Sequence, residues 1–302
     1  MFQICELWAS ELIGDGFVRQ GQKDFRIYGV SDPEEPEGHS VIFVKGDLSE
    51  DYTGISNSIF ITRQDCLLSL NSSCVQLKSD APKNLYGDVL NRICERLPKA
   101  EYELVNGSYI SRDVRMGENV NVGPFCVIGR DVVIGDRCEI SAGTVIRDHV
   151  RIGNDVIIKE HCVIGTEDAD IYRPQNGVCR TLPHLAGTVI EDGCLLLAGA
   201  VLAAGDTRTT VLGKGSMIGM VGDVGHNCRI GEETLISGKA SISGHCRVGV
   251  HTYVAPMAVT TNRVCVGDGA YLGLGAVAIR DVPEGEKQFG NPARKVLESR
   301  KS

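Results

Sequence analysis

The sequence predicts a mainly β protein, in which a parallel β-helix of hexapeptide repeats follows a small α/β domain. Between Ile110 and Leu272 an aliphatic residue recurs every six positions, with breaks only at 166–187 and 203–210. A period of six fits neither a helix face nor a free strand, but it is typical of a β-helix in which three hexads make one coil. The residues before about 105 lack this period.

A second column, of small residues, lies four positions after each aliphatic residue, and it is expected to fill the interior with the aliphatic column. Cysteine in this column serves as a compact apolar residue. Six of the twelve cysteines stand there: Cys126, Cys138, Cys162, Cys194, Cys228 and Cys246. Glycines directly after aliphatic positions, such as Gly213 and Gly231, are expected to permit turn conformations that a Cβ disfavours. Thr260 is the one polar residue of the aliphatic column.

Three segments follow from these patterns. Residues 1–104 form the small α/β domain, because "DFRIYGVSDPEEPEGHSVIFV" indicates strands around a turn and "PKNLYGDVLNRICERL" has helical spacing. Residues 105–282 form the β-helix, from which 166–187 leave as a long loop of the kind that often carries function. Residues 283–302 form a tail that contains the motif GNPAR.

Composition excludes several classes. The net charge of −8 and pI near 5.4 argue against a nucleic-acid-binding protein, which needs a basic surface. The first twenty residues lack the pattern of a secretion signal, and no stretch is apolar enough to span a membrane. We therefore expect a cytoplasmic protein with reduced cysteines. There is no CxxC pair or zinc-ligand spacing, so we expect no metal.

A histidine in "GDVGHNCRIGEETLISGKASISGHCRVG" marks the candidate site. One coil contains 18 residues, so His226 is expected to stack on Gly244, and Asn227 on His245. An imidazole can act as a general base, and an unobstructed glycine N–H can stabilise an oxyanion. These are the two groups that acyl transfer needs.

The repeat "VNVGPFCVIGRDVVIGDRCEISAGTVIRDHVRIGNDVIIKEHCVIG" resembles that of the left-handed β-helix hexapeptide transferases, and the resemblance extends over about residues 108–282. It implies a left-handed coil. It also implies a homotrimer with active sites in the clefts between neighbouring prisms.

A closer resemblance rests on "ELIGDGFVRQGQKDFRIYGVSDPEEPEGHSVIFV", "LPHLAGTVIEDG" and "GHNCRIGEETLISG". These stretches are similar to the UDP-3-O-(3-hydroxyacyl)glucosamine N-acyltransferases of lipid A synthesis. The resemblance implies that His226 is the general base, that the Gly244 N–H binds the oxyanion, and that Phe43 stacks on the uracil of a nucleotide-linked amino-sugar. It places the chain in the synthesis of a cell-envelope glycan or of a lipid A-like molecule.

The chain departs from these enzymes around the acceptor. Gly46 and Ser49 replace an asparagine and a tyrosine of the uracil pocket, although Tyr52 lies nearby. Further departures are Ala203, Ala204, Gly219, Met220 and Arg263, where that family has polar or charged residues. We therefore expect a different acceptor pocket.

Other substrate contacts are expected from five residues: Asn227, His245, Asp223, Tyr172 and His184. His245 suits a second base, a contact to the acyl donor or packing between subunits. Asp223 suits either orientation of the imidazole or a solvated turn. His184, in the inserted loop, is the remaining histidine that best fits a contact to substrate.

The end of the chain, "GLGAVAIRDVPEGEKQFGNPARKVLESRKS", resembles the close of acetyl-CoA-dependent sugar acetyltransferases. It implies that a CoA thioester is the donor, with acetyl-CoA favoured, and that an acyl carrier protein is the alternative. Guanidinium groups pair well with phosphates. The implied CoA contacts are Arg280, Asn291, Pro292, Arg294 and Lys295.

Two other functions are known or conceivable for a β-helix of this kind. A γ-class carbonic anhydrase shares the β-helix but requires three zinc-binding histidines, two of them five residues apart. His245 and His251 are six apart and no pair of histidines has the required spacing, which argues against that class. A non-catalytic binding or scaffold protein on a degenerate acyltransferase fold remains the alternative.

Overall fold

A computed structural model describes residues 2–14, 23–46, 51–174 and 177–295. Two expectations lie outside these residues: Ser49, and the part of the tail from 296 to 302. Within the described ranges, none of the helices has the length and apolar character needed to cross a membrane. The chain forms two compact units. The first comprises Met1–Lys99, Glu167–Ala186 and Asp206–Arg208, and the second comprises Ala100–Thr166, Gly187–Gly205 and Thr209–Ser302.

The second unit is a three-faced prism, and each face is a sheet of parallel strands, one short strand from each coil. Faces 1 and 3 each have one antiparallel strand added at one end. Face 1 contains Tyr102–Val105, Ser108–Ser111, Val127–Ile128, Val145–Ile146, Val163–Thr166, Val201–Ala203, Asp223–Val224, Ser241–Ile242, Val259–Thr260 and Val277–Ala278. Face 2 contains Arg115–Met116, Val133–Ile134, Val150–Ile152, Thr188–Ile190, Thr210–Leu212, Arg229–Ile230, Arg247–Val248 and Cys265–Val266. Face 3 contains Asn121–Val122, Glu139–Ile140, Ile157–Ile158, Leu195–Leu196, Met217–Ile218, Leu235–Ile236, Tyr253–Val254, Tyr271–Leu272, Lys287–Phe289 and Arg294–Lys295. The mainly β, hexapeptide β-helix fold is confirmed.

The register between coils is 18 residues, as Ile128 paired with Ile146 illustrates. The sequence separation between paired residues exceeds 18 only where the chain leaves the prism. Ile152 pairs with Ile190 across the first departure, and Leu202 pairs with Val224 across the second. The coils therefore resume their stacking after each insertion, and the aliphatic column stays continuous.

The interior of the prism is packed as the two columns predict. The six cysteines of the small column are at most 1% exposed, and all twelve cysteines, each of which lies in the described ranges, are reduced. Hydroxyl residues in that column are satisfied by backbone. Ser216 Oγ donates to Gly231 O (2.8 Å), and Thr234 Oγ1 donates to Gly249 O (2.6 Å). The apolar role of these cysteines is thus confirmed.

The reason for the repeat glycines differs from the one expected. Gly213 and Gly231 do not have positive φ; left-handed backbone occurs instead at corner residues such as Asp131, Asn227 and His245. A Cβ on Gly213 would lie 2.6 Å from Ile230 O of the next coil, and a Cβ on Gly231 would lie 2.6 Å from the Gly249 carbonyl carbon. The glycines are therefore needed for the close approach of consecutive coils.

The first unit has a four-stranded parallel sheet, in the order Gly29–Ser31, Ser40–Phe43, Ile59–Arg63 and Val75–Ser79. Smaller pairs are Leu7–Trp8 with Arg26–Ile27, Asp51–Tyr52 with Ser69–Leu70, and Ile171–Tyr172 with Arg180–Thr181. Helix α1 spans Ala9–Ile13 and helix α2 spans Pro82–Arg96. Proline fits the start of α2 because the first helical N–H groups have no partner within the helix. Helix α2 buries Tyr86, Val89, Leu90 and Ile93 in the core of this unit.

A cluster of charges joins three segments of the first unit. Asp170, whose side chain is 12% exposed, forms ion pairs with Lys83 at the start of α2 and with Lys45 after the strand Ser40–Phe43. Burial raises the pKa of the Asp170 carboxyl, but hydrogen bonds from Asp206 and Lys83 and the charge of Lys45 outweigh burial and hold it well below its usual range. The carboxylate form of Asp170 therefore stabilises this unit.

Asp170→Asn is expected to lower the stability of the first unit at pH 7, because Lys45 and Lys83 lose their partly buried counter-charge. A carboxyl whose pKa is depressed by folding stabilises the protein above its unfolded pKa, about 3.9, and this contribution disappears as the pH falls below that value. The gap in unfolding midpoint between wild type and variant should therefore narrow towards pH 3.

The matched control is Asp155→Asn, which breaks the exposed ion pair with Arg137 and should change the unfolding midpoint little, because exposed ion pairs contribute little to stability. Urea unfolding followed at several pH values checks both variants. A pH-independent gap for Asp170→Asn would contradict the electrostatic explanation.

Candidate functional site

His226 and Gly244 meet at the corner between faces 1 and 2. We call residues 226–227 and 244–245 the histidine corner. The His226 imidazole lies flat against Gly244: a Cβ built on that glycine would be 2.7 Å from Nε2 and 2.8 Å from Nδ1. His226 is 6% exposed and Gly244 is buried. The stacking that the 18-residue register predicts is therefore present, and only glycine leaves room for the ring.

The backbone directly before Gly244 departs from the regular hydrogen-bond ladder. Elsewhere the residue after the aliphatic position donates to the carbonyl one coil on, as Gly225 N does to Ile242 O (2.8 Å). Ser243 N donates instead to Thr260 Oγ1 (3.1 Å), and Ser243 Oγ donates to Thr260 O (2.6 Å). The single polar residue of the aliphatic column thus fixes the backbone directly before Gly244.

Among the contacts of the described residues, the Gly244 N–H has no acceptor. At the same turn position of an earlier coil, Arg130 N donates to Asp148 Oδ1 (2.8 Å), whereas Asn262, one coil beyond Gly244, provides no such bond. Buried N–H groups are rarely left without a partner. This donor is therefore available to an oxygen that a substrate would bring beside the His226 ring.

Asn227 and His245 form the second layer of the corner. Asn227 is 2% exposed, and its backbone N–H donates to Thr210 Oγ1 (2.9 Å). Its Nδ2 lies 3.4 Å from both ring nitrogens of His245. The rings of His226 and His245 are edge-on, with centroids 5.0 Å apart. All four residues of the predicted site are thus brought together.

The interior under this corner contains two thiols. A hydrogen bond from Cys228, aided by Thr260 and opposed by burial, lowers the pKa of Cys246 to about 7. The Cys246 Sγ lies 3.3 Å from Thr260 Oγ1. Two thiols and the Thr260 hydroxyl therefore lie together under the corner.

Asp223 lies on face 1 next to the corner. Its Oδ2 accepts a hydrogen bond from Ser241 Oγ (3.0 Å), the residue directly opposite it in the next coil. Both side chains project outward, because the inward positions of these strands are Val224 and Ile242. A carboxylate and a hydroxyl thus adjoin the histidine corner. Contact of Asp223 with substrate stays a prediction.

In the first unit, Phe43 is 4% exposed. Its ring stacks on Tyr86 with centroids 5.1 Å apart and an interplanar angle of 18°, and Lys45 Nζ lies 5.6 Å from its centroid. A base could stack on Phe43 only if neighbouring side chains moved. The role of Phe43 in uracil binding stays a prediction.

Tyr172 and His184 are both held inside the first unit. Tyr172 is 3% exposed, packs closely against Gly87, and accepts a hydrogen bond from Asn91 Nδ2 (2.5 Å). His184 donates from Nδ1 to Leu182 O (2.7 Å), while its Nε2 accepts from the Asp168 N–H (3.2 Å). These contacts fit structural roles, and substrate contact by either residue stays a prediction.

The residues proposed for CoA lie at the end of the prism. Arg280, Asn291 and Arg294 are exposed, and Lys295 Nζ pairs with Glu286 Oε2 (3.2 Å). The GNPAR segment is held to the last coil, because Ala293 N donates to Val277 O (2.7 Å). Pro292 belongs to the same turn. Contact with CoA stays a prediction for all five residues.

The sequence matches the family model of the bacterial transferase hexapeptide, six repeats, over residues 113–148 and 131–166. Among solved structures, UDP-N-acetylglucosamine O-acyltransferase from Moraxella catarrhalis RH4 is 17% identical, with a TM-score of 0.59 over 64% of this chain and 73% of that chain. UDP-N-acetylglucosamine acyltransferase from Francisella novicida is 22% identical, with a TM-score of 0.58 over 64% of this chain and 69% of that chain. The repeat and these likenesses show the left-handed hexapeptide β-helix fold.

Gly244→Ala is expected to displace the His226 imidazole, because the new Cβ would overlap the ring. Overpacking of this kind typically costs about 1–3 kcal/mol of unfolding free energy. Chemical denaturation measures that cost, and NMR of ring-labelled histidine reports the displacement.

Gly238→Ala is the matched control, since Gly238 occupies the same turn position one hexad earlier and its Cβ would lie 3.2 Å from Met220 O and 3.8 Å from Met220 N, with no ring nearby. It should cost less and leave the His226 signal unchanged. Equal effects of the two variants would show that the imidazole does not depend on Gly244.

Proposed function

We propose that this protein is an acyltransferase that moves an acyl group from a thioester to the amino group of a nucleotide-linked amino-sugar. His226 is the general base and the Gly244 N–H is the oxyanion donor. The observation that carries the proposal is the buried imidazole stacked on a glycine whose N–H has no acceptor among the described contacts. The product would enter the synthesis of a cell-envelope glycan or a lipid A-like molecule.

The geometry supports a direct transfer. His226 takes a proton from the sugar amine while the nitrogen of that amine attacks the thioester carbonyl carbon. The carbonyl oxygen becomes an oxyanion, which accepts a hydrogen bond from the Gly244 N–H. The tetrahedral intermediate then collapses, the C–S bond breaks, and the proton held by His226 passes to the leaving thiolate. The two groups need no rearrangement, because the register of consecutive coils already holds them in contact.

The comparisons support this class of reaction. The matched repeat is named for transferases, and the neighbouring structures are acyltransferases named for UDP-N-acetylglucosamine. The Moraxella protein is an O-acyltransferase by name, whereas the sequence resembles N-acyltransferases. Transfer to a sugar hydroxyl is therefore the second candidate, and the same base and oxyanion donor would serve it.

For the donor we propose a CoA thioester, with acetyl-CoA favoured and acyl carrier protein as the alternative. The proposal rests on the GNPAR segment, which is held against the last coil with Arg280 and Arg294 exposed beside it. Exposed guanidinium groups at such a turn suit the phosphates of CoA.

We propose a homotrimer as the working assembly. Apolar side chains at the corner between faces 3 and 1 support contacts between copies: Met220, Val221, Met257 and Leu274 are each at least 60% exposed. Exposed apolar groups of this extent commonly mark interfaces. Light scattering should give about three times the mass of the 32.5 kDa chain. A monomeric mass would contradict the assembly.

His226→Ala is expected to lower kcat by roughly 10²- to 10⁴-fold, the usual contribution of a general base. Acetyl-CoA, longer acyl-CoAs and acyl carrier protein thioesters are each incubated with a panel of nucleotide amino-sugars. Mass spectrometry detects a product heavier by one acyl group.

His251→Ala is the matched control, because His251 is exposed at another corner and paired with Glu233. It should retain wild-type turnover. Turnover by His226→Ala at the wild-type rate would remove the base from the mechanism, and the absence of product from wild type across the panel would contradict the proposed function. Mild hydroxylamine then separates the two acceptors, because it cleaves an ester product and leaves an amide intact.

A further inference from the structure

The outward side chains of two prism faces change character at the same two coils. On face 1 the outward position is valine in six coils: Val127, Val145, Val163, Val201, Val259 and Val277. Asp223 and Ser241 replace valine in the coils of His226 and Gly244. On face 2 the same coils carry Arg229 and Arg247. Polar groups therefore flank the histidine corner on both sides.

The two arginines are direct neighbours. Arg229 and Arg247 are Cα partners in the parallel ladder of face 2, and both are exposed. Arg151, by contrast, lies on this face between Val133 and Val189. Arg229 and Arg247 thus bring two planar guanidinium groups to adjacent coils of face 2, beside the histidine corner.

A groove of about 580 Å³ runs along face 2 beside these arginines. This volume lies within the range typical of small-molecule sites. Its lining includes glycines of three successive coils, Gly213, Gly231 and Gly249, which bring no side chains into it.

The side of the groove away from the arginines contains acidic residues whose carboxylates accept hydrogen bonds from backbone N–H groups. Glu191 Oε2 accepts from Lys214 N (2.9 Å), and Asp268 Oδ1 accepts from Val250 N (3.0 Å). Glu232 also lines the groove. The cationic side is thus the one next to the histidine corner.

We propose that this groove binds the phosphate groups of a substrate, with Arg229 and Arg247 as the residues that hold them. The inference deepens the proposed function by assigning a phosphate subsite to the same site. Arg229 follows Asn227 by two residues, and Arg247 follows His245 by two. Phosphates bound there lie on the same coils as the base and the oxyanion donor, and planar guanidinium groups bind them in a fixed orientation.

Both substrates of the proposed reaction carry phosphoanhydrides, so the shared chemistry is a diphosphate. Calorimetry with inorganic pyrophosphate, CoA and UDP is carried out on wild type, Arg229→Ala and Arg247→Ala. Each variant should weaken pyrophosphate binding at least about tenfold, since charge-assisted hydrogen bonds are lost. Weakened binding of CoA identifies the donor as the ligand of the groove, and weakened binding of UDP identifies the acceptor.

Arg115→Ala is the matched control, because Arg115 is an exposed outward arginine of the same face, several coils from the groove. It should bind all three probes as wild type does. Alkylation offers a second measurement: pyrophosphate should slow labelling of Cys265, which lines the groove, but not of Cys179, the other exposed thiol.

Wild-type affinity of both groove variants for all three probes would overturn the phosphate subsite. This outcome is distinguishable from failure of the proposed function. Arginine-dependent binding without any acylated product would leave the groove intact and contradict the acyltransferase, whereas acyl transfer with arginine-independent binding would contradict only the groove.

Discussion

The distance between hydrogen-bonded parallel strands, about 4.8 Å, is the constraint on which the prism depends. Each coil lies one such distance from the next, so residues 18 apart in sequence become direct neighbours, as Ile128 and Ile146 are. Any side chain at a tight position must fit within that distance. The repeat glycines satisfy it by having no Cβ, and the cysteines of the small column satisfy it by being compact. Stability and site geometry thus have one origin.

The candidate site uses this constraint at a single corner. At this corner the His226 imidazole fits against the next coil because the facing residue, Gly244, has no Cβ. The hydroxyl of Thr260 then replaces part of the regular ladder and fixes Ser243, the residue before that glycine. A small departure from the repeat therefore holds the backbone directly before Gly244 without disturbing the stack of coils.

Much of the prism could be predicted because its contacts follow a fixed period. The interior columns and the pairing of His226 with Gly244 require only counting in steps of 18. The surroundings of Phe43 could not be predicted, because its stacking on Tyr86 joins a strand and a helix that no period relates. The explanation of the repeat glycines was wrong for another reason: φ is a local property, whereas the clash with the next coil is not. Thr260 stands out in the sequence as the one polar residue of the aliphatic column. Its hydrogen-bond partner, Ser243, could be identified only from the structure.

The chain leaves the prism twice, after Val163–Thr166 and after Val201–Ala203, and each time it returns to the same stacking. The lengths of the two departures differ widely, yet the coils that follow are unaffected. Selection could therefore lengthen, shorten or replace these segments while His226 and Gly244 stay one strand spacing apart. The inserted segments and the geometry of the histidine corner could thus evolve separately in such a scaffold.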